Sequence, residues 1–352
     1  MTMTSEVATL SSRPDSSVEF PAVTLPGPRA FQEELRLWPF DLPFPYRISH
    51  EADRVAAHSR EWVQRMGLVS GEAALHRHDR HNMALFACVS YPDAPREGLN
   101  LVSDWVSWWA IWNDFPDDPA FVQEPGRPER FFASLAAVVT PSPQPLTPVS
   151  TDPHINAFTD VWRRWCQGMS PQFVTRTRKH WVDWFASCRT RCEHRRDSRT
   201  LGVEEYLALR DMTGAVLLEM DAAERAGGYE VRPEFLESSP LKVMRRITMR
   251  VINITQDVQS LAKEEAAGDQ HNMVIVLERQ QNLTREKALR QIHERIRGYT
   301  DSFLGYEAEI PHFLDTLMVP VEERTSIYRH AADLRSLMRG CVDFCSASGR
   351  YQ

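Results

Sequence analysis

A helical period of apolar residues runs along one long segment, and this segment limits the possible folds more than any other feature. It begins near Leu241 and ends at Glu264. Its apolar side chains share one side of a helix, as expected of an element that packs against a core. They are Val251, Ile254, Val258 and Leu261. Helical patterns recur along the chain, with neither convincing β-alternation nor an internal repeat. The sequence therefore predicts an all-α, single-domain helical bundle.

The N-terminal region differs from the helical region that follows it. Residues 1–28 are polar at first and are then broken by prolines, which predicts a disordered N-terminal arm. Residues 29–352 are predicted to form one α-helical domain, because no linker divides them. Residues 37–46 place aromatic side chains between prolines. We expect this stretch to lie as an extended strap on the folded domain.

Composition and charge exclude several classes of function. The 352-residue chain has 42% hydrophobic and 25% charged residues, as soluble globular proteins do. Its net charge of −7 gives no general attraction to nucleic acid or anionic membranes. No apolar run approaches the ~18–20 residues of a membrane span, and the first residues do not form a secretory signal. Six cysteines are too few for a disulfide scaffold. We expect a cytoplasmic protein that binds neither nucleic acid nor membranes.

A polar stripe follows the apolar period in the same predicted helix. Gln256, Ser260 and Glu264 are spaced four residues apart, so they stack along one helix face. Their amide, hydroxyl and carboxylate groups are hard oxygen donors, which suit a cation such as Mg²⁺. Taken alone, the stripe is equally compatible with a solvated helix face.

A second oxygen-rich cluster follows a predicted apolar helix at Leu101–Trp112. Pro116 is expected to kink or break that helix within the run Asn113-Asp114-Phe115-Pro116-Asp117-Asp118. Several carboxylates would then stand at the helix end. Such ends are commonly only solvated, but two oxygen-rich clusters on separate helices could hold divalent cations between them.

Basic residues could supply hydrogen-bond donors to an anionic group held by such cations. Arg210 precedes Thr213 and Gly214, Lys263 lies inside the polar stripe, and an Arg350–Tyr351 pair lies near the C-terminus. Guanidinium groups bind phosphate with two parallel hydrogen bonds. We therefore consider a phosphorylated substrate.

Together, and in this order, these segments resemble the bacterial class I terpene synthases, over residues 37–352. The stretch 256–264 with its continuation to Asn272 is similar to the second metal motif of that family, and 113–117 falls where the family has its aspartate-rich motif. Arg210 matches the diphosphate-sensing arginine, and Thr213 and Gly214 fall at the linker and effector positions. Residues 346–351 are similar to the C-terminal arginine–tyrosine pair.

The resemblance implies the α-helical bundle of that family, three Mg²⁺ ions and a prenyl diphosphate substrate. The expected metal ligands are Asn113, Asp117, Asp118, Gln256, Ser260 and Glu264. The expected catalytic residues are Arg210, Thr213 and Gly214, and the expected diphosphate contacts are Arg210, Lys263, Arg350 and Tyr351. Trp109, one turn before Asn113, and Met249 and Ile252, before Gln256, are the predicted pocket residues.

Two positions depart from the family pattern. Asn113 stands where the family usually has its first metal-binding aspartate, and Gln256 stands where it usually has asparagine. An amide oxygen can coordinate a cation but brings no negative charge. Which of Asn113, Asp114, Asp117 and Asp118 holds metal therefore stays open.

The resemblance thus predicts a Mg²⁺-dependent terpene cyclase that ionises farnesyl or geranylgeranyl diphosphate and cyclises the carbocation. A homodimer would be usual for the family that the chain resembles. Two alternatives remain. A degenerate binding protein with this fold is favoured by Asn113 and Gln256, and a chain-elongating prenyltransferase would require a second aspartate-rich motif. The residues do not indicate product skeleton or stereochemistry.

Overall fold

The computed structural model describes residue 40 and residues 42–113, 115–116, 118–141 and 150–350. Within these ranges all regular secondary structure is helical, which confirms the predicted all-α fold. The arm predicted at residues 1–28 lies outside the described residues, so its boundary with the helical domain stays a prediction.

Fifteen α-helices follow one another in this part of the chain. They are α1 (Ala52–Arg65), α2 (Glu72–His81), α3 (Met83–Ser90), α4 (Arg96–Trp112), α5 (Pro119–Gln123), α6 (Arg127–Val139), α7 (Pro153–Cys166), α8 (Pro171–Arg196), α9 (Val203–Thr213), α10 (Val216–Gly227), α11 (Pro233–Leu236), α12 (Leu241–Ala266), α13 (Met273–Gln281), α14 (Arg285–Thr316) and α15 (Val321–Ala347).

The breaks between helices follow from local backbone chemistry. The predicted break before Pro116 is confirmed, because α4 ends at Trp112. Asn82 adopts a left-handed conformation with φ of 50° and separates α2 from α3. Ala215, also left-handed at φ 62°, separates α9 from α10. Left-handed residues cannot continue a right-handed helix.

Helix α12 lies at the centre of the bundle. It packs against α14 and α15 on one side and contacts α9 and α10 on another. Its apolar residues, among them Val251 and Ile254, are buried as the period predicted. Because neighbouring helices surround its polar stripe as well, that stripe lies inside the fold.

A cluster of tryptophans joins α4 to α7 and α8. Trp108 stacks on Phe158 at a centroid distance of 4.7 Å, and Trp181 lies 4.8 Å from the same ring. Aromatic pairs of this kind add about 0.5–1.5 kcal/mol beyond the burial of their area. The cluster therefore fixes α4, whose C-terminal turns carry Trp109 and Asn113.

The strap predicted at residues 37–46 packs on the bundle where the structure describes it. Phe40, Leu42 and Phe44 are buried. The Phe44 ring meets Phe303 edge-on at 5.9 Å, and Arg339 donates a hydrogen bond to the Phe44 carbonyl at 2.9 Å. Residues 37–39 and 41 lie outside the described residues.

Helices α3 and α15 approach closely at Gly340. A Cβ atom at this position would lie 2.7 Å from the Ser90 Cα atom, so only glycine allows the two backbones to touch. One turn further along α15, Phe344 meets Phe86 of α3 at a centroid distance of 5.4 Å. The contact at Gly340 therefore sets the spacing of these two rings.

None of the described helices is both long enough and apolar enough to cross a membrane.

Candidate active site

A cavity opens among α3, α4, α8, α9, α10, α12 and α15. One part of its lining is polar, and the other part consists of aromatic and aliphatic side chains. The cavity brings together ten residues that were predicted from the sequence to form the site. They are Trp109, Asn113, Arg210, Thr213, Gly214, Gln256, Ser260, Lys263, Glu264 and Arg350.

The polar stripe of α12 faces this cavity. Gln256, Ser260 and Glu264 all line it and are half-buried. Ser260 also donates a hydrogen bond to the Gln256 carbonyl at 2.9 Å, one turn back along the helix. A stripe that lines a cavity inside the bundle is not a solvated helix face.

Asp257 connects α12 to two neighbouring helices. Its side chain is nearly inaccessible, with 1% of the residue exposed. It accepts hydrogen bonds from Arg210 Nε at 2.8 Å, from the Met273 amide at 3.0 Å and from the Tyr206 hydroxyl. Burial, followed by the charge of Asp257, raises the Tyr206 pKa well above its ordinary value. Asp257 therefore holds Arg210 of α9 in place.

Arg210 bridges two adjacent residues of α12. Besides Asp257, its Nη2 atom donates to Gln256 Oε1 at 3.0 Å. Burial is the largest influence and lowers the Arg210 pKa, but the charge and hydrogen bond of Asp257, together with the charges of Tyr206 and Glu264, raise this pKa above its ordinary value. The guanidinium is therefore a permanent cation at the edge of the cavity.

The break between α9 and α10 brings main-chain atoms to the cavity. Gly214 packs so closely on α12 that a Cβ atom would lie 1.8 Å from Asn253 Oδ1. Asn253 Nδ2 donates to the Arg210 carbonyl at 3.1 Å, and Trp184 Nε1 donates to the Thr213 carbonyl at 3.1 Å. Any larger residue where the resemblance places the effector would therefore force the Asn253 side chain to move.

The surroundings of Glu264 disfavour the negative charge of its carboxylate. Burial, and after it the neighbouring charge of Asp257, raises the pKa of Glu264. Asn272 Nδ2 donates to Glu264 Oε2 at 2.8 Å, which orients the carboxylate. Arg191 lines the same cavity from α8.

These donors fit a hard divalent cation such as Mg²⁺. Among the described residues, no three Asp, Glu, His or Cys side chains converge on one point. The cavity instead offers one carboxylate, one hydroxyl and one amide oxygen on a single helix face. Mg²⁺ is usually bound by one or two carboxylates together with substrate phosphates and water, so this sparse set is adequate.

Arg350 reaches the cavity from the C-terminal segment. Its Cζ atom lies 4.8 Å from the centroid of the Trp109 ring, and Nη1 donates to the Ala110 carbonyl at 3.3 Å. A guanidinium over an indole face gains cation–π attraction. Arg350 is thus held against α4 with its charge beside the cavity.

Comparison with known proteins agrees with the family resemblance seen in the sequence. A family model described as terpene synthase family 2, C-terminal metal binding, matches residues 104–301. The chain belongs to the bacterial class I terpene synthases. Pentalenene synthase of Streptomyces avermitilis is 34% identical over 314 residues, which cover 89% of this chain and 92% of that protein. Pristinol synthase of Streptomyces pristinaespiralis is 30% identical, covering 88% and 83%.

Solved terpene synthase structures share the whole fold. Wild-type cucumene synthase superposes with a TM-score of 0.77 at 27% identity, over 88% of this chain and 100% of that chain. Linalool/nerolidol synthase from Streptomyces clavuligerus gives a TM-score of 0.76 at 28% identity, over 87% and 100%. The chain is therefore a class I terpene synthase by family and by fold.

Some predicted site residues of this terpene synthase lie elsewhere. Asp118 is exposed and outside the cavity lining, because its Oδ1 atom caps α5 by accepting from the Ala120 amide at 2.9 Å. Neither Met249 nor Ile252 is among the lining residues. Ile252 is fully buried, and the part of α12 that lines the cavity begins at Gln256. Asp114, Asp117 and Tyr351 lie outside the described residues.

Other residues that line the cavity were not among the predicted site residues. They are Met83, Phe86, Trp105, Val106, Arg191, Tyr206, Leu209, Ala215, Glu219, Asp257, His271 and Phe344. Tyr206 and Trp105 each lie four residues before a predicted site residue, Arg210 and Trp109, so helical spacing could have found both. Phe86 and Phe344 come together only through the packing of α3 on α15.

Proposed function

We propose that this terpene synthase is a Mg²⁺-dependent cyclase that ionises a linear prenyl diphosphate and cyclises the resulting carbocation. The observation that carries the proposal is a single cavity with two chemically different parts. Oxygen donors and the cations Arg210, Lys263 and Arg350 line one part. Aromatic and aliphatic side chains line the other.

We further propose farnesyl diphosphate as the substrate and a sesquiterpene as the product. Two relatives support this chain length by their names. The (−)-β-caryophyllene synthase of Saccharothrix espanaensis, 28% identical over 314 residues, and the 7-epi-α-eudesmol synthase of Streptomyces viridochromogenes are both described as cyclising (2E,6E)-farnesyl diphosphate. Geranylgeranyl diphosphate is the longer alternative to test.

Each part of the cavity has its own task in this proposal. Bound Mg²⁺, three ions by analogy with the family, would be held by Gln256, Ser260, Glu264 and Asn113 and would stabilise the diphosphate as a leaving group. Arg210, Lys263 and Arg350 bind the diphosphate oxygens and orient the carbon–oxygen bond that breaks, whose electron pair leaves with the diphosphate.

The apolar part then receives the hydrocarbon chain. Phe86, Trp105, Trp109 and Phe344 line it, and their ring faces attract positive charge. Excluding water from this part prevents early capture of the cation. A homodimer remains a prediction from the family resemblance.

The test is turnover of purified protein with geranyl, farnesyl and geranylgeranyl diphosphates. Products are identified by gas chromatography–mass spectrometry, and released diphosphate is measured separately. We expect a cyclic C15 product with Mg²⁺ and none with excess chelator. Absence of both cyclic product and diphosphate release for every chain length would overturn the proposal. A condensation product with added isopentenyl diphosphate would instead indicate a chain-elongating enzyme.

A further inference from the structure

Glu219 is a buried acid that the proposed mechanism does not use. It lies in the first turns of α10, only 6% of the residue is exposed, and it lines the cavity. Its Oε2 atom is buried, with no hydrogen-bond partner among the described residues. Such an orphaned buried oxygen is costly to maintain, because folding removes it from water without replacing the lost hydrogen bond.

Two other buried acids on α10 show what a structural role looks like. Glu224 accepts a hydrogen bond from Arg176 at 2.8 Å. Asp221 pairs with His180 at 2.7 Å. Of these three acids, Glu219 alone lines the cavity and lacks a charged partner within hydrogen-bonding distance. Its carboxyl is therefore not explained by an ion pair that stabilises the helix.

A main-chain contact of Glu219 brings this turn of α10 close to the aromatic residues of the cavity. The Tyr91 hydroxyl donates to the Glu219 carbonyl at 3.0 Å. The Tyr91 ring lies 6.3 Å from Phe86, whose ring in turn meets Phe344 at 5.4 Å. The substrate's hydrocarbon chain is expected against these rings, while the charge of Arg210 acts on Glu219 from the polar part of the cavity.

The charge state of this carboxyl matters for carbocation chemistry. Burial raises the Glu219 pKa to about 8, against the lowering effect of Arg210, so the group is mainly uncharged at neutral pH. A carboxylate beside a carbocation would remove a proton from it or form an ester with it. An uncharged carboxyl has a weakly basic carbonyl oxygen whose dipole attracts positive charge without ending the reaction.

We propose that Glu219 is a further catalytic residue of this synthase, in which an oxygen of its buried carboxyl contacts the hydrocarbon chain and stabilises positive charge formed away from the diphosphate. The inference rests on the proposed function, because it requires a carbocation in the cavity. In this role, Glu219 would influence how many cyclisation steps the cation completes before it loses a proton or is captured by water.

The experiment compares Glu219→Gln with Glu219→Leu. Glutamine keeps a carbonyl oxygen and cannot ionise, whereas leucine has a similar size and no oxygen. Diphosphate release by both variants is measured beside the products, so that a change in cyclisation is separated from a change in ionisation. Glu219→Gln should keep the wild-type product. Glu219→Leu should raise the proportion of acyclic and less cyclised products on the order of tenfold.

Controls separate this role from packing. Asp333→Asn removes another acid of raised pKa, which accepts from Tyr229 outside the cavity lining, and should leave the products unchanged. Glu219→Met replaces the leucine variant if that variant does not fold. Equal product shifts in the glutamine and apolar variants, or wild-type products from the apolar variant, would overturn the assignment. Lack of diphosphate release by the wild type would instead overturn the proposed function.

Discussion

The Arg210 guanidinium and the Asp257 carboxylate form an ion pair with a nitrogen–oxygen distance of 2.8 Å. The pair links α9 to α12 beside the polar stripe. Because Arg210 also bonds to Gln256, one cation fixes the relative position of two helices and orients the first donor of the stripe.

Removing the charge of Asp257 should therefore destabilise the fold. In Asp257→Asn the buried Arg210 charge loses its partner, and we expect the free energy of unfolding to fall by about 3 kcal/mol. Tyr206→Phe removes only one hydrogen bond to the same carboxylate and should cost about 1 kcal/mol. Urea unfolding measures both. Equal losses would mean that the ion pair contributes nothing beyond hydrogen bonding.

Glu264 is the carboxylate expected to matter most for metal-dependent turnover. Glu264→Ala should reduce turnover with Mg²⁺ on the order of a hundredfold or more, because it removes the charged donor of the stripe. The neighbouring Glu265 is a matched control, since it pairs with Arg285 at the surface. Glu265→Ala should turn over at the wild-type rate. Wild-type turnover by Glu264→Ala would exclude Glu264 from the metal site.

Asn113→Asp should lower the Mg²⁺ concentration that gives half-maximal turnover. Asn113 lines the cavity at the end of α4, and an aspartate there adds the negative charge that the amide lacks. Gln281→Glu adds the same charge at an exposed helix end and should leave the requirement unchanged. A requirement that stays the same or rises in Asn113→Asp would place residue 113 outside the metal shell.

Gly214→Ala tests the close packing between α9 and α12. Its new Cβ atom would overlap Asn253 Oδ1, so we expect a loss of about 1–3 kcal/mol in unfolding free energy, together with slower turnover. Gly305→Ala is the matched control, because nothing lies within 4 Å of the corresponding Cβ position in α14. That change should stabilise the protein by up to about 1 kcal/mol. Similar behaviour of both variants would contradict the steric argument.

The raised pKa of Glu219, about 8, has a defined effect on stability. As pH rises from about 5 to about 9, the unfolded chain ionises this group before the folded protein does, so the wild type loses stability relative to Glu219→Gln. The change should be on the order of 4 kcal/mol. Arg210, Tyr91 and Cys341 face Glu219 and are present in both proteins, so the difference isolates residue 219.

That comparison is made by urea unfolding of both proteins at several pH values. A stability difference that does not vary with pH would show that Glu219 titrates normally in the folded protein.

Much of the fold follows from local sequence signals. Apolar periodicity located α12, and the missing N–H of Pro116 predicted where α4 ends. The separation of α2 from α3 was not predicted, because asparagine adopts the left-handed conformation only in some contexts. The contact between Phe86 and Phe344 depends on helix packing, which no local pattern specifies.

The site was predictable where its residues share one helix face. Gln256, Ser260 and Glu264 follow the i, i+4, i+8 rule, so their common orientation was available from spacing alone. Asp257 lies one position away from that stripe, and its role depends on Arg210 and Tyr206 of another helix. Glu219 gave no signal, because α10 carries three acids and the sequence does not show which of them lacks a charged partner.

Because of the backbone contact at Gly340, the distance between α3 and α15 and the side chains that these helices present to the cavity can change independently. Main-chain atoms, and not side chains, fix the distance between the helices that carry Phe86 and Phe344. Substitutions at the two ring positions can therefore reshape the space offered to a terpene without moving the helices. Replacement of Gly340 itself would change the distance between α3 and α15. New products can thus arise on an unchanged scaffold.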